Sequence, residues 1–236
     1  MRLTFLGHAG IGLDFEAGGE RYSLVIDPFI TGNRTTPVEL DSLNPDYVLV
    51  THAHGDHWGD VPELAGRTGA TVIGTAEVAT YAERLELKAH GMNVGGTHRF
   101  PFGKVRLTPA WHSSSFPDGT YGGMPTGLVL DIGGFRIYHA GDTALFSDMR
   151  LVGDLGIDLA LLPIGDNYTM GPTDALEAVK LIRPRYVMPV HFGTFPLLEQ
   201  DPAAFKRRVE AETSAKGLVL EPGEDMQLES LFARAR

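Results

Sequence analysis

Three histidines and an aspartate fall within six positions at His52-Ala-His54-Gly-Asp56-His57, directly after the apolar run Val48-Leu-Val50. Imidazole nitrogens and carboxylate oxygens are what a borderline divalent cation takes when no thiolate is on offer, and this chain has no cysteine. Side chains alternate along extended backbone, so His52 and His54 share a face and can reach one ion together. Gly55 permits a sharp turn, after which Asp56 and His57, near the start of a helix through Val61-Pro-Glu-Leu64, approach from another side. That division suits two adjacent ions better than one. A merely polar surface loop is the alternative, and it accounts poorly for so dense a ligand set at the end of a buried-type strand.

The pattern His52-x-His54-x-Asp56-His57 resembles the signature of the metallo-β-lactamase superfamily, whose hydrolases hold one or two metal ions at the junction of two stacked β-sheets. The resemblance implies a further histidine, a bridging aspartate and a late histidine, and Trp111-His112, Ala140-Gly-Asp142 and Val190-His191 stand in that order. It runs from Leu3 to Pro202. Within the superfamily the chain is similar to the bacterial metal-dependent hydrolases near the L-ascorbate-6-phosphate lactonases and, more distantly, the N-acyl-phosphatidylethanolamine phospholipases D. Phe5-Leu-Gly-His8-Ala-Gly10, Tyr138-His-Ala-Gly-Asp-Thr143, Ile164-Gly-Asp-Asn-Tyr-Thr-Met-Gly-Pro-Thr-Asp174 and Met188-Pro-Val-His-Phe-Gly-Thr-Phe-Pro196 carry that likeness.

What the resemblance implies for the site is His52, His54 and His112 on a first ion, Asp56, His57 and His191 on a second, and Asp142 shared. Zinc is the superfamily default and manganese the suggestion of the lactonase likeness. Mixed histidine and carboxylate ligation also accommodates iron or nickel. An acid at the place of Asp27 supports a metal-binding histidine in the superfamily, here by accepting the distal N–H of His52 or His54; a turn-starting aspartate before Pro28 is an equal reading. His8, in the turn Gly7-His-Ala-Gly10, is either an ordinary turn residue or a contact near the metal centre. His139 precedes Asp142 by three positions and supports the site rather than binding metal. Tyr168 is a candidate substrate contact, and Trp58, Phe192 and Phe195 could line a pocket or simply pack. His90 and His98 read as surface residues.

Leu3–Gly7, Ile11–Phe15 and Tyr22–Ile26 read as short strands joined by glycine turns. Thr31–Pro45 is a polar loop beside the cleft. Val61–Arg67 and Ala76–Leu87 read as helices around a buried strand at Thr71–Gly74. Strands at Val105–Ala110, Leu128–Ile132 and Phe135–His139 follow, the last two a hairpin about Gly133-Gly134, with Ser113–Gly127 a loop over the site. Ile157–Pro163 and Tyr186–Val190 are further strands. Thr173–Ile182 reads as a helix capped by Thr173, and a helix over Pro202–Ala211 closes the fold. Strands followed by helices, twice over, suit an αββα four-layer sandwich of two mixed β-sheets flanked by helices better than a doubly wound parallel sheet. One domain over residues 1–236 is expected, since no linker composition divides the chain.

With 43% hydrophobic and 21% charged residues the composition is that of a globular protein. The N-terminal stretch lacks the apolar run of a signal peptide, and no run reaches membrane-spanning length, so a cytoplasmic protein is expected. A net charge of −10 argues against a nucleic-acid surface, which needs clustered Lys and Arg. The partner expected is a small-molecule substrate, and the likeness permits a homo-oligomer. The function expected is hydrolysis of a small ester, lactone or phosphodiester by a metal-bridging hydroxide, with Asp142 holding both ions and Asp56 orienting the nucleophile. Its rivals are an iron-dependent oxidoreductase of the same fold, a nuclease-type phosphodiesterase and a non-catalytic metal-dependent binding module. Diiron reductases typically carry an acid where this chain has His54.

Overall fold

The computed structural model describes residues 1–228 and Leu231. Period-two alternation organises its first strands: Leu3 and Phe5 in β1 (Arg2–Gly7), Ile11 and Leu13 in β2 (Gly10–Ala17), and Leu24 and Ile26 in β3 (Glu20–Ile26) all turn into one core. These strands pair antiparallel. From β3 onward pairing becomes parallel, through β4 (Tyr47–Leu49), β5 (Thr71–Thr75) and β6 (Ala89–Met92). The single turn α1 (Gly55–Trp58), then α2 (Val61–Thr68) and α3 (Ala76–Arg84), provide the connections. Both faces of these parallel strands are covered, so Val48 and Val72 pack under the helices while Leu49 and Ile73 enter the inner core.

The second sheet repeats the plan. β7 (Thr97–Phe100), β8 (Gly103–Pro109), β9 (Thr126–Ile132) and β10 (Phe135–His139) pair antiparallel, and β11 (Leu159–Pro163), β12 (Tyr186–Val190) and β13 (Lys216–Gly217) extend the sheet in parallel. α4 (Met149–Gly153), α5 (Pro172–Ile182) and α6 (Pro202–Glu212) lie on its outer face. β14 (Asp225–Gln227) returns to pair with β1. Among the described residues each sheet has seven strands, and the layers run helices, sheet, sheet, helices, the αββα arrangement expected.

Local differences from the expected elements have simple causes. β4 stops at Leu49, so His52 and His54 lie on the connection beyond it rather than within a strand. The helix expected over Ala76–Leu87 ends at Arg84, where Glu86 turns to a φ of 61°. Gly171, not Thr173, occupies the N-cap of α5, because the fixed φ of Pro172 seats that residue in the first helical turn; the Thr173 hydroxyl instead accepts from Arg208 at 3.3 Å. Among the described residues no helix is long and apolar enough to cross a membrane.

The end of α4 meets the end of α5 at Gly153, where a Cβ would fall within 2.9 Å of Ile182 Cα and closer still to its carbonyl group. Gly153→Ala therefore forces the two helices apart, and we expect a loss of about 1–3 kcal/mol. A lowered urea midpoint at unchanged slope checks this; an unshifted midpoint contradicts it.

Candidate metal centre

β1, β3 and β4 run in one direction in the first sheet, and β8, β10 and β12 share one in the second. The carboxyl ends of these strands deliver His8, Asp27, the His52–His57 segment, His112, Asp142 and His191 to one edge of the sandwich, where loops are free of ladder hydrogen bonds. Three of these residues have left-handed backbone: His8 (φ 56°), Asp27 (φ 46°) and His191 (φ 56°). Such conformations cost free energy outside glycine, and they aim these side chains inward rather than along the strand. Gly141, at φ 62°, makes a comparable turn before Asp142; a Cβ there would stand 2.6 Å from the Thr126 carbonyl oxygen.

Hydrogen bonds settle which imidazole nitrogens are free. Asp27, fully buried, accepts from the Thr51 N–H (2.8 Å), the Thr51 hydroxyl (2.6 Å) and His57 Nδ1 (2.8 Å). Since the Thr51 hydroxyl gives its proton to Asp27, its oxygen receives the Nδ1–H of His52 at 3.0 Å. One carboxylate thereby orients both His52 and His57 and leaves Nε2 of each pointing inward. The expected partner of Asp27 was His52 or His54; the direct partner is His57, and His52 is reached through Thr51. His54 Nε2 lies 3.3 Å from Ser113 Oγ, and either atom can be the donor.

His52 Nε2 and His54 Nδ1 face each other 3.1 Å apart, and His112 lies with them, its ligand atom inside 4.8 Å of theirs. Nitrogens bound to one zinc at tetrahedral angles stand roughly 3.3 Å apart. On the other side His57 Nε2, His191 and Asp56 form a second group. Asp142 lies between the groups. Its Oδ2 is 3.0 Å from His191 Nε2, 3.6 Å from His112 Nε2 and 3.9 Å from His52 Nε2, while Oδ1 is 3.3 Å from His57 Nε2. His57 Nε2, Asp142 Oδ1 and both ring nitrogens of His191 are buried with no hydrogen-bond partner. Orphaned atoms of this kind are costly in an apolar interior, and a shared divalent cation relieves them. The residues therefore fit a metal centre.

His8 sits in the second group by distance, yet its nitrogens are engaged. Asp56 can only accept, so His8 Nε2–H donates to its Oδ2 (3.1 Å), and Nδ1 accepts from the Thr194 hydroxyl (2.9 Å). Burial, with His191 nearby, pushes His8 down to about 4, which keeps the ring neutral. It positions Asp56. His139 is a backbone clamp: Nε2–H donates to the Ala9 carbonyl (2.8 Å) and Nδ1 accepts from Gly141 N–H (3.1 Å), tying the β1–β2 turn to the Asp142 turn. Tyr168 stands outside the cluster, 55% exposed, because the turn at Asp166 and Asn167 (φ 62° and 41°) carries it outward. Two residues escape sequence reasoning altogether. Thr51 carries no signal beyond its place before His52. Asp60 looks like a cap for α2, but its buried carboxylate instead accepts from Ile30 N–H (2.6 Å) and Thr31 N–H (2.9 Å) and pins the loop leaving Asp27.

Fold and site together define a class, a two-sheet sandwich with a histidine and carboxylate cluster at the strand ends. The model of the beta-lactamase superfamily domain matches residues 22–192. A metal-dependent hydrolase of Thermus thermophilus is 52% identical over 97% of this chain and 100% of its own, and one of Deinococcus radiodurans 53% identical over 97% and 100%. The solved structure of a novel metallo hydrolase from Ignicoccus hospitalis superposes with a TM-score of 0.86 at 40% identity, covering 95% of this chain and 97% of the other. The chain belongs to the metallo-β-lactamase superfamily, among its metal-dependent hydrolases.

Two outcomes follow from the geometry. Asp27→Asn keeps the volume but weakens the bonds that orient His52 and His57, and we expect metal affinity to fall about 10–100-fold; titration against a chromophoric chelator reads it, and unchanged affinity contradicts it. Burial opposes a charge on His57 and on His191, but the charges of Asp142 and Asp27 outweigh it at His57 and hold that group well above the usual range, and Asp142 and Asp56 raise His191 to about 9. Burial lowers His52, His54 and His112. Below pH 9 a cation must therefore displace a proton from His191, so metal binding at pH 7 releases protons and tightens as pH rises toward 9. Calorimetry in buffers of unequal ionisation enthalpy measures the release; a buffer-independent heat would contradict it.

Proposed function

We propose that the chain hydrolyses a carbonyl or phosphoryl ester at a dinuclear centre, with His52, His54 and His112 holding one ion, Asp56, His57 and His191 the other, and Asp142 both. The observation that carries this reading is the Asp142 carboxylate, 3% exposed, reaching two nitrogen groups at once. Zinc is the ion assigned, since imidazole with carboxylate and no thiolate suits it. Bound divalent ions would bring the pKa of a water near neutrality and draw charge from the scissile group's oxygen.

The chain's own residues do the rest. Burial works against a charge on Asp56, but His191 and His8 hold its carboxylate well below the usual range. An anion so well stabilised is a weak base, so Asp56 accepts a hydrogen bond from the attacking water and fixes its direction. His8 Nε2–H holds one of its oxygens. His139 and Gly141 fix the turn that presents Asp142. Ser113 meets only His54, a residue assigned here to the first ion, and Ser114 accepts from the Ala53 N–H, so attack by water without a covalent enzyme intermediate is the economical route.

Asp142→Ala removes the group shared by both ligand sets. We expect loss of bound metal and of turnover together, by elemental analysis and by assay on a panel of esters, lactones and phosphodiesters; full activity in this variant would refute the scheme.

A further inference from the structure

The loops that carry the ligands also form the rim of the cleft, and their composition bears on what enters it. Trp111 precedes His112, with its backbone N–H on the Thr143 hydroxyl (2.9 Å) and its ring 65% exposed. Phe195, 40% exposed on the loop after β12, lies 5.7 Å from the His8 ring and 6.1 Å from Phe29. Tyr168 rides the loop after β11, the strand between β12 and β10 in the sheet, and the Met170 N–H of that loop bonds the Thr143 carbonyl (3.0 Å). Large aromatic faces left in water around a polar cluster mark a binding surface more than a packing accident.

The same loops are nearly free of cations. Over residues 6–10, 28–36, 50–60, 110–127, 140–148, 164–171 and 191–201, all among the described residues, the only Lys or Arg is Arg34. Asp118, Asp148, Asp166 and Glu199 lie on these loops as well. A substrate with a phosphate or carboxylate remote from the reacting bond needs Arg or Lys to pair with it, and these loops supply only Arg34.

We propose that the substrate is a neutral carboxylic ester or lactone whose apolar acyl chain or ring lies against Trp111, Phe29 and Phe195. This rests on the proposed hydrolysis at the Asp142 centre and narrows its substrate class. One water is consumed: its oxygen bonds to the acyl carbon, the acyl C–O bond breaks, the departing oxygen takes a proton, and the acid leaves as carboxylate with its proton passing to solvent.

The test uses the zinc-loaded protein and two readouts. Calorimetry compares acetate, hexanoate and inorganic phosphate as product-like probes, and assays compare the p-nitrophenyl esters of acetic, hexanoic and phosphoric acid. Hexanoate should bind at least about tenfold more tightly than acetate, the worth of burying about two methylenes. The carboxylic esters should follow that order in kcat/KM and exceed the phosphate ester. Trp111→Ala and Phe195→Ala should each erase most of the chain-length preference, through KM, while Arg34→Ala leaves it intact. Tighter binding of phosphate than of hexanoate, faster turnover of the phosphate ester, or dependence of the preference on Arg34 overturns the proposal. Hydrolysis with no chain-length preference overturns the substrate assignment alone. A hexanoate preference with no ester hydrolysed at full zinc occupancy overturns the hydrolytic reading, and the proposal with it.

Discussion

Burying several imidazoles beside two carboxylates is unfavourable unless every lone pair and proton finds a partner, and the edge of this sandwich is built around that constraint. Asp27 satisfies part of it by accepting from Thr51 and His57 and, through the Thr51 hydroxyl, fixing His52. The Nδ1–H groups of His52 and His57 face outward into the protein as a result. Their Nε2 atoms converge on Asp142 with those of His112 and His191, and among the described residues His57 Nε2, Asp142 Oδ1 and both ring nitrogens of His191 meet no hydrogen-bond partner. That set of donors fits a divalent cation.

The fold supplies this arrangement because each sheet pairs an antiparallel meander with a parallel half. In both sheets the strands alternate direction at first and then agree, which leaves a set of carboxyl ends on the same edge. Loops there can curl inward without breaking a ladder. The left-handed residues His8, Asp27 and His191 mark where the chain does so, and the bond from His191 N–H to the His8 carbonyl (2.7 Å) joins the two sheets at that point. His139 makes a second tie, from Gly141 to Ala9. Core packing between the sheets and geometry of the ligands are thus linked: displacing one sheet relative to the other would separate the two halves of the cluster.

Much of this was legible in the sequence, unevenly. The segment from His52 to His57 announces itself because its ligands are contiguous. His112, Asp142 and His191 are single residues at strand ends, and only the superfamily pattern singles them out before the fold brings them together. Strand periodicity located both sheets, yet could not show that Val48 and Leu49 face different cores. The pairing of Asp27 with His57 is not legible, because a φ of 46° swings its carboxylate toward α1 and nothing in Ile26-Asp-Pro28 encodes that swing. Tyr168 follows two successive left-handed residues and is left exposed, a reversal that its neighbours in sequence do not announce. Thr51 and Asp60 act through hydrogen bonds to residues more than twenty positions away, a kind of relation that residue type and spacing do not record.

The proton inventory adds a step to the proposed chemistry. Asp56 is held as an anion and can orient water but has no proton to give. His8 is neutral, and both of its nitrogens are already bonded. His139 is likewise occupied on both sides and sits behind the backbone of Gly141. Within the ligand assignment proposed, His52, His54, His57, His112 and His191 commit their free lone pairs to the ions. None of these described groups is therefore poised as a strong general acid for the leaving atom. Amide cleavage, whose amine must be protonated as it departs, is poorly served by such a site. An ester or lactone oxygen leaves with far less assistance, so the lack of a spare acid among these groups favours the same substrates as the aromatic, cation-poor loops around the site.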